Sequence, residues 1–534
     1  MSGRVARALI AAAAAWGLAA CAGNPQRQDS DVRVAIYTNP SSLSLIGNTD
    51  LNSTQLASVI SDGLVAYDAQ AHYVPMVARS WELAPDAKTL TFHLRDGVLW
   101  HDGERLSSRD VAYTVKKILE PATQASSWVS SFANVASVET PDDLTLVVHF
   151  TEPYADFLEP WRVPLIPEHA ASKDANFLGG AFAHHPIGCG PFRFVSYDPG
   201  QRVVLEAFDK YWGGRPAMDR MVVKIVSAER TGYESLLMGD LDQLAVTPDL
   251  WRESLTSPAA KRLARFVYYR FNAWRADWNQ YPATPFFHDK RVRRALLLAL
   301  DRKRFAETVS AGLARPGVSS YPPESPWADP SITALPFDPA ESSRLLDEAG
   351  WRRPASGGVR TKDGRPFVFT LIFAAGSQEL SDRIAAWMQQ SLAEVGIGMK
   401  IEKIAADVFR RRRKTHEFDA AIATIVFDAT PDRFDLYHSK ARDGALNYGG
   451  FSDAEVDRLL DAGRATVDPA ARREIYGSLQ RRLDDLQPVS FLFQFAQPIL
   501  HDPELEGIVP SPVGLFNFAP GPRAWHWSSA HTRR

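Results

Sequence analysis

The chain has 534 residues, and at about 100–200 residues per domain it is expected to fold as roughly two to four domains. It is 45% apolar and 23% charged with a net charge of -3, values typical of a soluble globular protein. No strongly basic face is expected, so the composition argues against a nucleic-acid-binding protein. The 14 Trp, 15 Tyr and 28 Phe supply buried area for cores, and such side chains also line ligand clefts.

The first residues predict an export signal followed by a lipid anchor. A basic start precedes the uncharged apolar run 8–20, which is too short to span a bilayer as a mature helix. The end of this run, LAAC, resembles the bacterial lipobox, in which the cysteine carries lipid and becomes the first mature residue. We predict a signal peptide over 1–20, lipidation of Cys21, and a polar tether over 21–31 that holds the protein at a membrane surface. An ordinary cleaved signal with an incidental cysteine is the alternative.

The sequence has 2 cysteines, Cys21 and Cys189. If Cys21 carries lipid, Cys189 has no partner, and the exported protein is expected to fold without a disulfide. Its stability must then come from packing.

Strand and helix patterns alternate through most of the chain, which predicts the α/β class. Alternating β-branched and aromatic residues predict strands over 32–38, 88–95, 144–150, 193–208 (a pair joined by a Pro-Gly turn), 264–273, 366–374 and 488–496. Helical spacing predicts helices over 53–66, 106–120, 290–309, 338–350, 377–395, 451–463 and 468–486. Capping signals are expected at Ser107 with Asp110, Asp338 with Glu341, and Ser452 with Glu455. The strand-like segments 268–273 and 491–495 flank one large α/β block, a placement that would suit two strands crossing between lobes.

Motifs of several enzyme classes are absent from the sequence, which has no P-loop, no HExxH, no CxxC and no G-x-S-x-G elbow. Cys189, between two glycines, is the main candidate nucleophile, and it would need a base and an electropositive niche. His184 and His185 are near in sequence, but a turn cysteine between glycines is more often structural. We therefore predict that the protein is not an enzyme and uses no cofactor.

Residues 92–104, FHLRDGVLWHDGE, concentrate titratable groups in the manner of an active site or a metal site. On an alternating strand that buries Phe92, the side chain of His93 points to solvent. His101-Asp102-Gly103 is a turn sequence. A structural role is therefore favoured over a metal site, and we expect His101→Ala to affect stability more than ligand affinity.

The basic run from Arg410 to Lys414 would suit nucleic acid if taken in isolation. Its position between AADVF and HEFDAAI predicts a helix. A solvated helix face is the favoured interpretation.

Five stretches have a spacing that is recognisable as a set. They are GLVAYDAQAHYVPMVARSWELAPDAKTLTFHLRDGVLWHDGERLSSRDVAYTVKKIL (63–119), GCGPFRFVSYDPGQRVVLEAFDKYWGGRPAMDRMVVKIV (188–226), FFHDKRVRRALLLALDRKRF (286–305), FDPAESSRLLDEAGW (337–351) and NYGGFSDAEVDRLLDAG (447–463). In this order they resemble the extracellular solute-binding proteins of family 5, the peptide- and nickel-binding subunits of ABC importers. The resemblance covers nearly all of the predicted mature chain.

The resemblance implies a two-lobe periplasmic binding protein of the Venus flytrap kind (type II, cluster C-like) with an extra small α+β domain. The implied domains are lobe I from 32–65, 185–269 and 490–534, the extra domain over 66–184, and lobe II over 270–489. The family function implies that a solute is captured between the lobes as a hinge closes.

In peptide binders of this family, an aspartate in an Asp-Tyr-Pro-Asp-Pro-like stretch pairs with the amino terminus of the ligand, because a buried ammonium needs a carboxylate. Here IVFDATPDRFDLYHS (425–439) has Ala429 at the usual position and Asp428 one residue earlier. Asp428 is the implied ligand contact if the loop shifts by one residue, and a turn aspartate is the alternative.

Asn447 resembles the family's asparagine before a glycine-rich turn, where ligand contact and turn formation are both open. The aromatic candidates for ligand contact are Phe427, Trp274 and Tyr37, with core packing as the alternative for each.

The resemblance implies a monomeric substrate-binding lipoprotein of an ABC importer in the periplasmic space. It would capture a peptide or peptide-sized solute and deliver it to a membrane permease and its ATPase. The alternatives are a non-peptide solute (an opine, an oligosaccharide, a nickel complex or haem) and a ligand sensor on the same scaffold.

Overall fold

The computed structural model describes residues 30–529 except 48–49, 124–125, 175–179, 376–378 and 443–445. The predicted signal peptide, the lipidation site Cys21 and all but the end of the predicted tether lie outside the described residues. The strands are β1 (Asp31–Ile36), β2 (Val65–Tyr67), β3 (Tyr73–Pro75), β4 (Ala78–Leu83), β5 (Thr89–Leu94), β6 (Val135–Asp142), β7 (Thr145–Phe150), β8 (Phe192–Asp198), β9 (Arg202–Ala207), β10 (Arg220–Ile225), β11 (Gln243–Ala245), β12 (Ala264–Tyr269), β13 (Asn272–Trp278), β14 (Ala314–Pro316), β15 (Thr361–Lys362), β16 (Arg365–Pro366), β17 (Val368–Ala374), β18 (Gly398–Ile404), β19 (Ala420–Val426), β20 (Val489–His501), β21 (Leu505–Glu506) and β22 (His526–Trp527). The helices are α1 (Leu51–Ile60), α2 (Ser108–Leu119), α3 (Ser126–Val129), α4 (Glu168–Ala171), α5 (Ala181–His184), α6 (Glu229–Met238), α7 (Pro248–Thr256), α8 (Lys290–Leu298), α9 (Arg302–Val309), α10 (Pro339–Glu348), α11 (Glu379–Glu394), α12 (Ala406–Lys414), α13 (Phe434–Tyr437), α14 (Ala454–Ala465) and α15 (Pro469–Leu486).

One long strand, β20, joins two halves of a 12-stranded sheet. Its first half pairs with β13, from Val489 to Phe493, and its second half pairs with β12, from Ala496 to His501. Pairing on both halves makes β20 one crossover between the lobes, and the path from β12 to β13 is the other. The predicted strand 264–273 is thus two strands, which are separated by a break at Arg270-Phe271.

We use lobe I for the half of this sheet built from β1, β8–β12 and the end of β20. Strand β1 pairs in parallel with β10 and β11, while the predicted pair β8 and β9 is antiparallel and turns at Gly200, whose φ is +75°. Glycine suits that turn because a positive φ carries no steric penalty without a Cβ. Helices α6 and α7 pack in this half around Tyr233 and Leu250.

The extra domain contains a separate four-stranded sheet in the order β4-β5-β7-β6. The expected alternation in β5 is confirmed, because Phe92 is fully buried and His93 is only partly buried. Helix α2 begins after Ser107, whose backbone N–H donates to the Asp110 carboxylate at 2.9 Å, as the capping pattern predicted. Its side chains share one continuous hydrophobic core with β1 and β9, so the extra domain packs firmly on lobe I.

Lobe II is built from β13, β14, β17–β19 and the start of β20, with α8–α15 around them. Strands β18, β17 and β19 are parallel neighbours, which is the βαβ arrangement that the alternating pattern indicated. The predicted boundaries between the domains are not tested by these contacts and stay a prediction.

Three expectations for lobe II are corrected. The predicted helix 290–309 is two helices, because the Asp301 side chain accepts the backbone N–H of Arg304 and starts a new helix. The cap of α14 is Asp453, one residue after the expected Ser452. The predicted helix for the basic run is confirmed as α12, but Arg413 is not solvated, since it pairs with buried Asp277 and lies 4.0 Å from the Tyr448 ring centre.

Among the described residues, no helix combines the length and apolar character needed to cross a membrane.

Candidate functional site

The two lobes meet beside the crossover strands, where an apolar cluster draws side chains from both sides. The backbone N–H of Phe427 donates to the carbonyl of Phe271, which fixes the end of β19 beside the crossover. Phe427 shares its cluster with Phe491 of lobe II, Tyr67 of β2 and Phe518 of the C-terminal segment. The strand end that carries Phe427 therefore lies at the interface between the lobes.

Asp428 follows directly and is exposed at this interface. Among the described residues its carboxylate makes no hydrogen bond, while its backbone carbonyl accepts one from Arg433. Arg433 is 4% exposed and also donates to the carbonyls of Ser320 and Thr430. The loop is thus fixed by the buried arginine, and the carboxylate that it presents is left unpaired.

A buried charged group faces Asp428 from the extra domain. Glu159 and Arg162 form an ion pair within one short 3-10 turn, and the hydroxyls of Tyr67 and Tyr73 both donate to the Glu159 carboxylate. Arg162 lies 4.0 Å from the ring centre of Tyr67. Burial raises the pKa of Glu159, and the negative charge of Asp428 raises it further. The positive charge of Arg162 acts in the opposite direction and lowers this pKa. Two carboxylates therefore repel each other across the interface, and a ligand cation between them would relieve that repulsion.

The extra domain also reaches lobe II at a second place, which we call the Asp156 latch. Asp156 and Arg472 form an ion pair of 2.6 Å, and their side chains are 4% and 7% exposed. The adjacent backbone N–H of Ala155 donates to the carbonyl of Arg464 at 2.8 Å. The Arg464 side chain pairs in turn with Asp432. The latch therefore ties the extra domain to the loop that carries Asp428.

A cavity of about 130 Å³ lies between lobe I and the extra domain, beside this interface. Much of its wall is apolar and is formed by Val59, Met76, Trp128 and Phe516, among others. Arg162 and Phe518 line the cavity as well. Because these two residues also border the interface, the cavity adjoins the interface at which Asp428 is exposed.

Three polar side chains, Asp62, Tyr211 and Arg523, meet on the wall of this cavity, and Trp212 bonds to them from behind it. Asp62 is 6% exposed, and one of its oxygens, Oδ2, accepts hydrogen bonds of 2.8 Å from the Tyr211 hydroxyl and from Trp212 Nε1. Arg523 donates to the same Tyr211 hydroxyl at 2.9 Å. Burial raises the pKa of Asp62 to about 6, although the Tyr211 and Trp212 hydrogen bonds and the Arg523 charge oppose the rise. The cavity thus has a polar end whose charges are partly balanced.

The other predicted ligand residues lie away from this site. The Asn447 amide donates to the carbonyls of His438 and Phe451 and accepts from the N–H of Phe451, so its hydrogen bonds are used within its own turn. Trp274 packs in the core of lobe II. Tyr37 packs in lobe I and donates to the carbonyl of Ala245 at 2.9 Å. Of the predicted set, the structure brings only Phe427 and Asp428 together.

Cys189 is fully buried and does not have the environment of a nucleophile. Its sulfur lies 3.6 Å from Ser61 Oγ, and burial raises the pKa of the thiol far above its usual range. His101 is held nearby, since its Nδ1 accepts the backbone N–H of Gly188 at 3.2 Å and its Nε2 is 3.1 Å from the carbonyl of Gly190. The two groups therefore hold the GCG turn in place.

Sequence reasoning missed Glu159, Arg162, Asp62 and Arg523. Arg162 stands alone in EPWRVP, and Arg523 stands in GPRAW, so neither belongs to a charge run or a spaced motif. Each arginine lies within two residues of a proline in a segment without helical or strand periodicity, which is the one local signal that these two residues share.

Comparison with known proteins gives one family. The profile of the bacterial extracellular solute-binding proteins, family 5 (Middle), matches residues 72–446. Protein XP55 of Streptomyces lividans is 32% identical over 492 residues, covering 89% of this chain and 87% of that protein. The oligopeptide-binding protein AppA of Bacillus subtilis is 27% identical over 498 residues, covering 91% of this chain and 90% of AppA.

Solved structures have the same fold. AppA of B. subtilis in complex with a nonapeptide has a TM-score of 0.76 at 23% identity and covers 93% of this chain and 99% of its own. NikZ of Campylobacter jejuni in complex with Ni(L-His) has a TM-score of 0.78 at 21% identity and covers 94% of this chain and 100% of its own. These similarities confirm the two-lobe architecture.

Proposed function

Because the chain belongs to the bacterial extracellular solute-binding proteins of family 5, we propose that it captures a peptide or peptide-sized solute between its lobes and delivers it to the permease of an ABC importer. The observation that carries the proposal is the unpaired carboxylate of Asp428, which is presented at the lobe interface opposite the buried carboxylate of Glu159. Two neighbouring carboxylates that share the charge of one arginine, Arg162, keep a net negative charge and favour a cationic ligand group. The α-ammonium of a peptide is such a group.

The apolar part of the site supports a ligand with side chains. Phe427 and Phe518 border the interface, and Trp128, Met76 and Phe516 line the adjoining cavity. Apolar walls with a few polar groups at the ends are typical of sites that hold a small ligand in one orientation. A peptide fits this distribution, since its ends are charged and its side chains are apolar in part.

The site differs from the family's peptide-binding pattern at one position. Ala429 stands where the aspartate is usual, and it is 4% exposed in the cluster around Phe427. Asp428 is the exposed neighbour of this buried position. We infer that Asp428 takes the role of the usual aspartate.

The export signal and the lipobox at Cys21 support a place for the protein at the surface of the cell membrane, facing the periplasmic space. A lipid anchor would keep the binding protein close to the permease and limit its loss by diffusion. Growth-phase labelling with a radioactive fatty acid tests the anchor, because Cys21→Ala should abolish the label while the wild-type chain keeps it.

A thermal-shift screen of the mature chain tests the function. Peptides of two to nine residues are compared with opines, oligosaccharides, haem and nickel complexes, each at a concentration far above the expected Kd. A specific ligand should raise Tm by several degrees, because binding to the folded state alone stabilises it. Stabilisation by non-peptide solutes only would support the alternative class, and no shift with any solute would contradict solute capture.

A further inference from the structure

The two crossovers between the lobes are not paired along their whole length. The ladder between β12 and β20 ends at Tyr269, and the ladder between β13 and β20 begins at Trp274. Between these ladders, residues 270–273 of the first crossover lie opposite residues 494–495 of β20, so the first crossover has the longer chain at this gap. Extra chain on one of two paired strands interrupts the ladder and lets that strand bend. The gap is therefore the point at which the lobes can pivot.

Hydrogen bonding in the gap is incomplete on the first crossover. Arg270 Nε and Asn272 Oδ1 are buried and have no hydrogen-bond partner among the described residues. The backbone N–H of Asn272 donates to the carbonyl of Arg270 at 2.7 Å, so the chain makes a tight local turn here instead of a rung of the sheet. A bend at this segment therefore breaks no rung of either ladder.

One buried side chain spans the gap. Gln494 is 3% exposed, and its Nε2 donates to the carbonyl of Arg270 at 2.8 Å and to the Glu324 carboxylate at 3.1 Å. Its Oε1 accepts from Nε of Arg315 at 2.9 Å and from Nη2 of the same residue at 2.6 Å. The amide of Gln494 thus joins β20 to the first crossover on one side and to β14 of lobe II on the other.

Arg315 extends this connection to the end of lobe I. It forms an ion pair with Glu324, and its guanidinium lies 4.0 Å from the ring centre of Tyr269, the last residue of β12. A planar guanidinium can lie over a ring and keep its hydrogen bonds in its own plane. We use hinge clamp for Gln494, Arg315 and Glu324. The hinge clamp contacts both crossovers at the point where their ladders are interrupted.

We propose that the hinge clamp makes the two crossovers bend as one unit and so fixes the angle between the lobes in the ligand-free chain. Without the hinge clamp, each crossover would bend separately at the gap, and the chain would sample a wider range of angles. More of that freedom would be lost on binding, which lowers the affinity. Gln494 is a positioning residue, since it acts on the ligand only through the angle between the lobes. The effect on affinity rests on the proposed function, whereas the effect on the ligand-free chain does not.

The test measures the distance between the lobes in the mature full chain by double electron–electron resonance. Spin labels are attached at Lys261→Cys in lobe I and at Arg411→Cys in lobe II, which are exposed positions. The chain also carries Cys21→Ala, and buried Cys189 is not expected to take the label.

Gln494→Met is compared with the wild type and with Gln497→Met as the matched control. Methionine has about the length of glutamine and makes none of these hydrogen bonds, so Gln494→Met removes the bridge with little change in volume. Gln497 lies on the same strand, and its side chain makes no hydrogen bond among the described residues. The wild type and the control should give a narrow ligand-free distance distribution, and Gln494→Met one that is about twice as wide or wider. The same width in all three proteins would overturn the inference.

Isothermal titration gives the second readout, with the peptide that raises the Tm of the wild type most. Gln494→Met should bind this peptide roughly three- to tenfold more weakly than the wild type and Gln497→Met do, because binding must also order the hinge. An unchanged affinity, or an equal loss in the control, would contradict the link between the hinge clamp and ligand binding. If no solute stabilises the wild type, the proposed function fails, while the ligand-free distances still decide on the hinge clamp.

Circular dichroism and Tm show whether Gln494→Met folds. If it does not, Arg315→Met replaces it, because the Arg315 side chain is 31% exposed and its loss removes the same bridge from the lobe II side. Arg315→Met should widen the ligand-free distribution in the same way. A width equal to that of the wild type would rule out the hinge clamp.

Discussion

Residues 92–104 and the segment around Asp428 both carry charged side chains, and the fold uses those charges in opposite ways. In the first region, His101 bonds to the backbone of Gly188 and Gly190, and Asp102 lies 2.7 Å from His169. In the second region, the Asp428 carboxylate is exposed and has no hydrogen bond among the described residues. A dense cluster of titratable groups can thus serve the fold alone, while one unpaired charge at an interface marks a candidate site.

The change with the largest expected effect is at the Asp156 latch, because there the extra domain is joined to the loop of Asp428 through Arg464 and Asp432. Arg472→Met would leave Asp156 as an unpaired charge in the buried interface between the extra domain and lobe II, which typically costs about 3–5 kcal/mol. Much of that cost should fall on closure, since the latch joins the extra domain to lobe II. Ligand affinity should fall about a hundredfold or more, and small-angle X-ray scattering with ligand should show a more open chain.

The double variant Asp156→Asn with Arg472→Met removes both charges and serves as the control for the latch. It should recover part of the lost affinity, because no unpaired charge remains. If Arg472→Met binds and closes as the wild type does, the latch has no part in closure.

The pH dependence of stability separates a group that serves the fold, His101, from a carboxylate on the cavity wall, Asp62, because the two should respond in opposite directions. Burial lowers the pKa of His101 to about 4 from its ordinary 6.5, so between these values the unfolded chain binds the extra proton and stability falls as the pH falls. Burial raises the pKa of Asp62 to about 6 from 3.8, so in that window the folded chain keeps the proton and stability falls as the pH rises. Each group is expected to change the free energy of unfolding by about 3 kcal/mol across its window, because one unit of pKa shift corresponds to about 1.4 kcal/mol.

Urea unfolding between about pH 4 and pH 6.5 measures both slopes. In the wild type the contributions of these two groups oppose each other, so each variant is compared with the wild type. Relative to the wild type, Asp62→Asn should gain stability as the pH rises, and His101→Ala should lose stability as the pH rises. The same slope in all three proteins would show that neither group titrates as described.

At neutral pH, His101→Ala should change the free energy of unfolding by less than the changes described above. It removes two hydrogen bonds to backbone groups and an edge contact with the Phe208 ring, so a loss of about 2–3 kcal/mol in the free energy of unfolding is expected. Ligand affinity should change by less than about threefold, because the ring does not border the cleft. If His101→Ala kept the stability of the wild type but lost ligand binding, residues 92–104 would belong to the ligand site, and the contrast with the Asp428 segment would be wrong.

Local chemistry predicted much of the fold because it depends on neighbours in the chain. The alternation in β5, the Asp338 cap of α10 and the Pro-Gly turn before β9 all follow from residues within a few positions. The break at Asp301 was missed because an apolar helical pattern continued across a residue that starts a new helix. Local periodicity cannot distinguish one long helix from two that pack on the same core.

The site was less predictable because its members come from distant parts of the chain. Asp428 was named because a family pattern surrounds it, and Phe427 because it is its aromatic neighbour. Asp62 and Arg523 carry no such pattern, and only the fold brings them to one cavity wall. Trp274 and Asn447 have the residue types of a ligand site, yet the first packs in a core and the second forms a turn.

The most direct test of ligand binding at Asp428 is a titration of the wild type and Asp428→Asn with one stabilising peptide and its N-acetylated form. Asp435→Asn is the matched control, since Asp435 is another exposed aspartate, in α13 directly after the loop. The wild type and the control should lose about a hundredfold in affinity on acetylation, because the ammonium loses its charge, and Asp428→Asn should bind both forms equally weakly. A full preference for the free amine in Asp428→Asn would contradict the assignment of this carboxylate to the ligand.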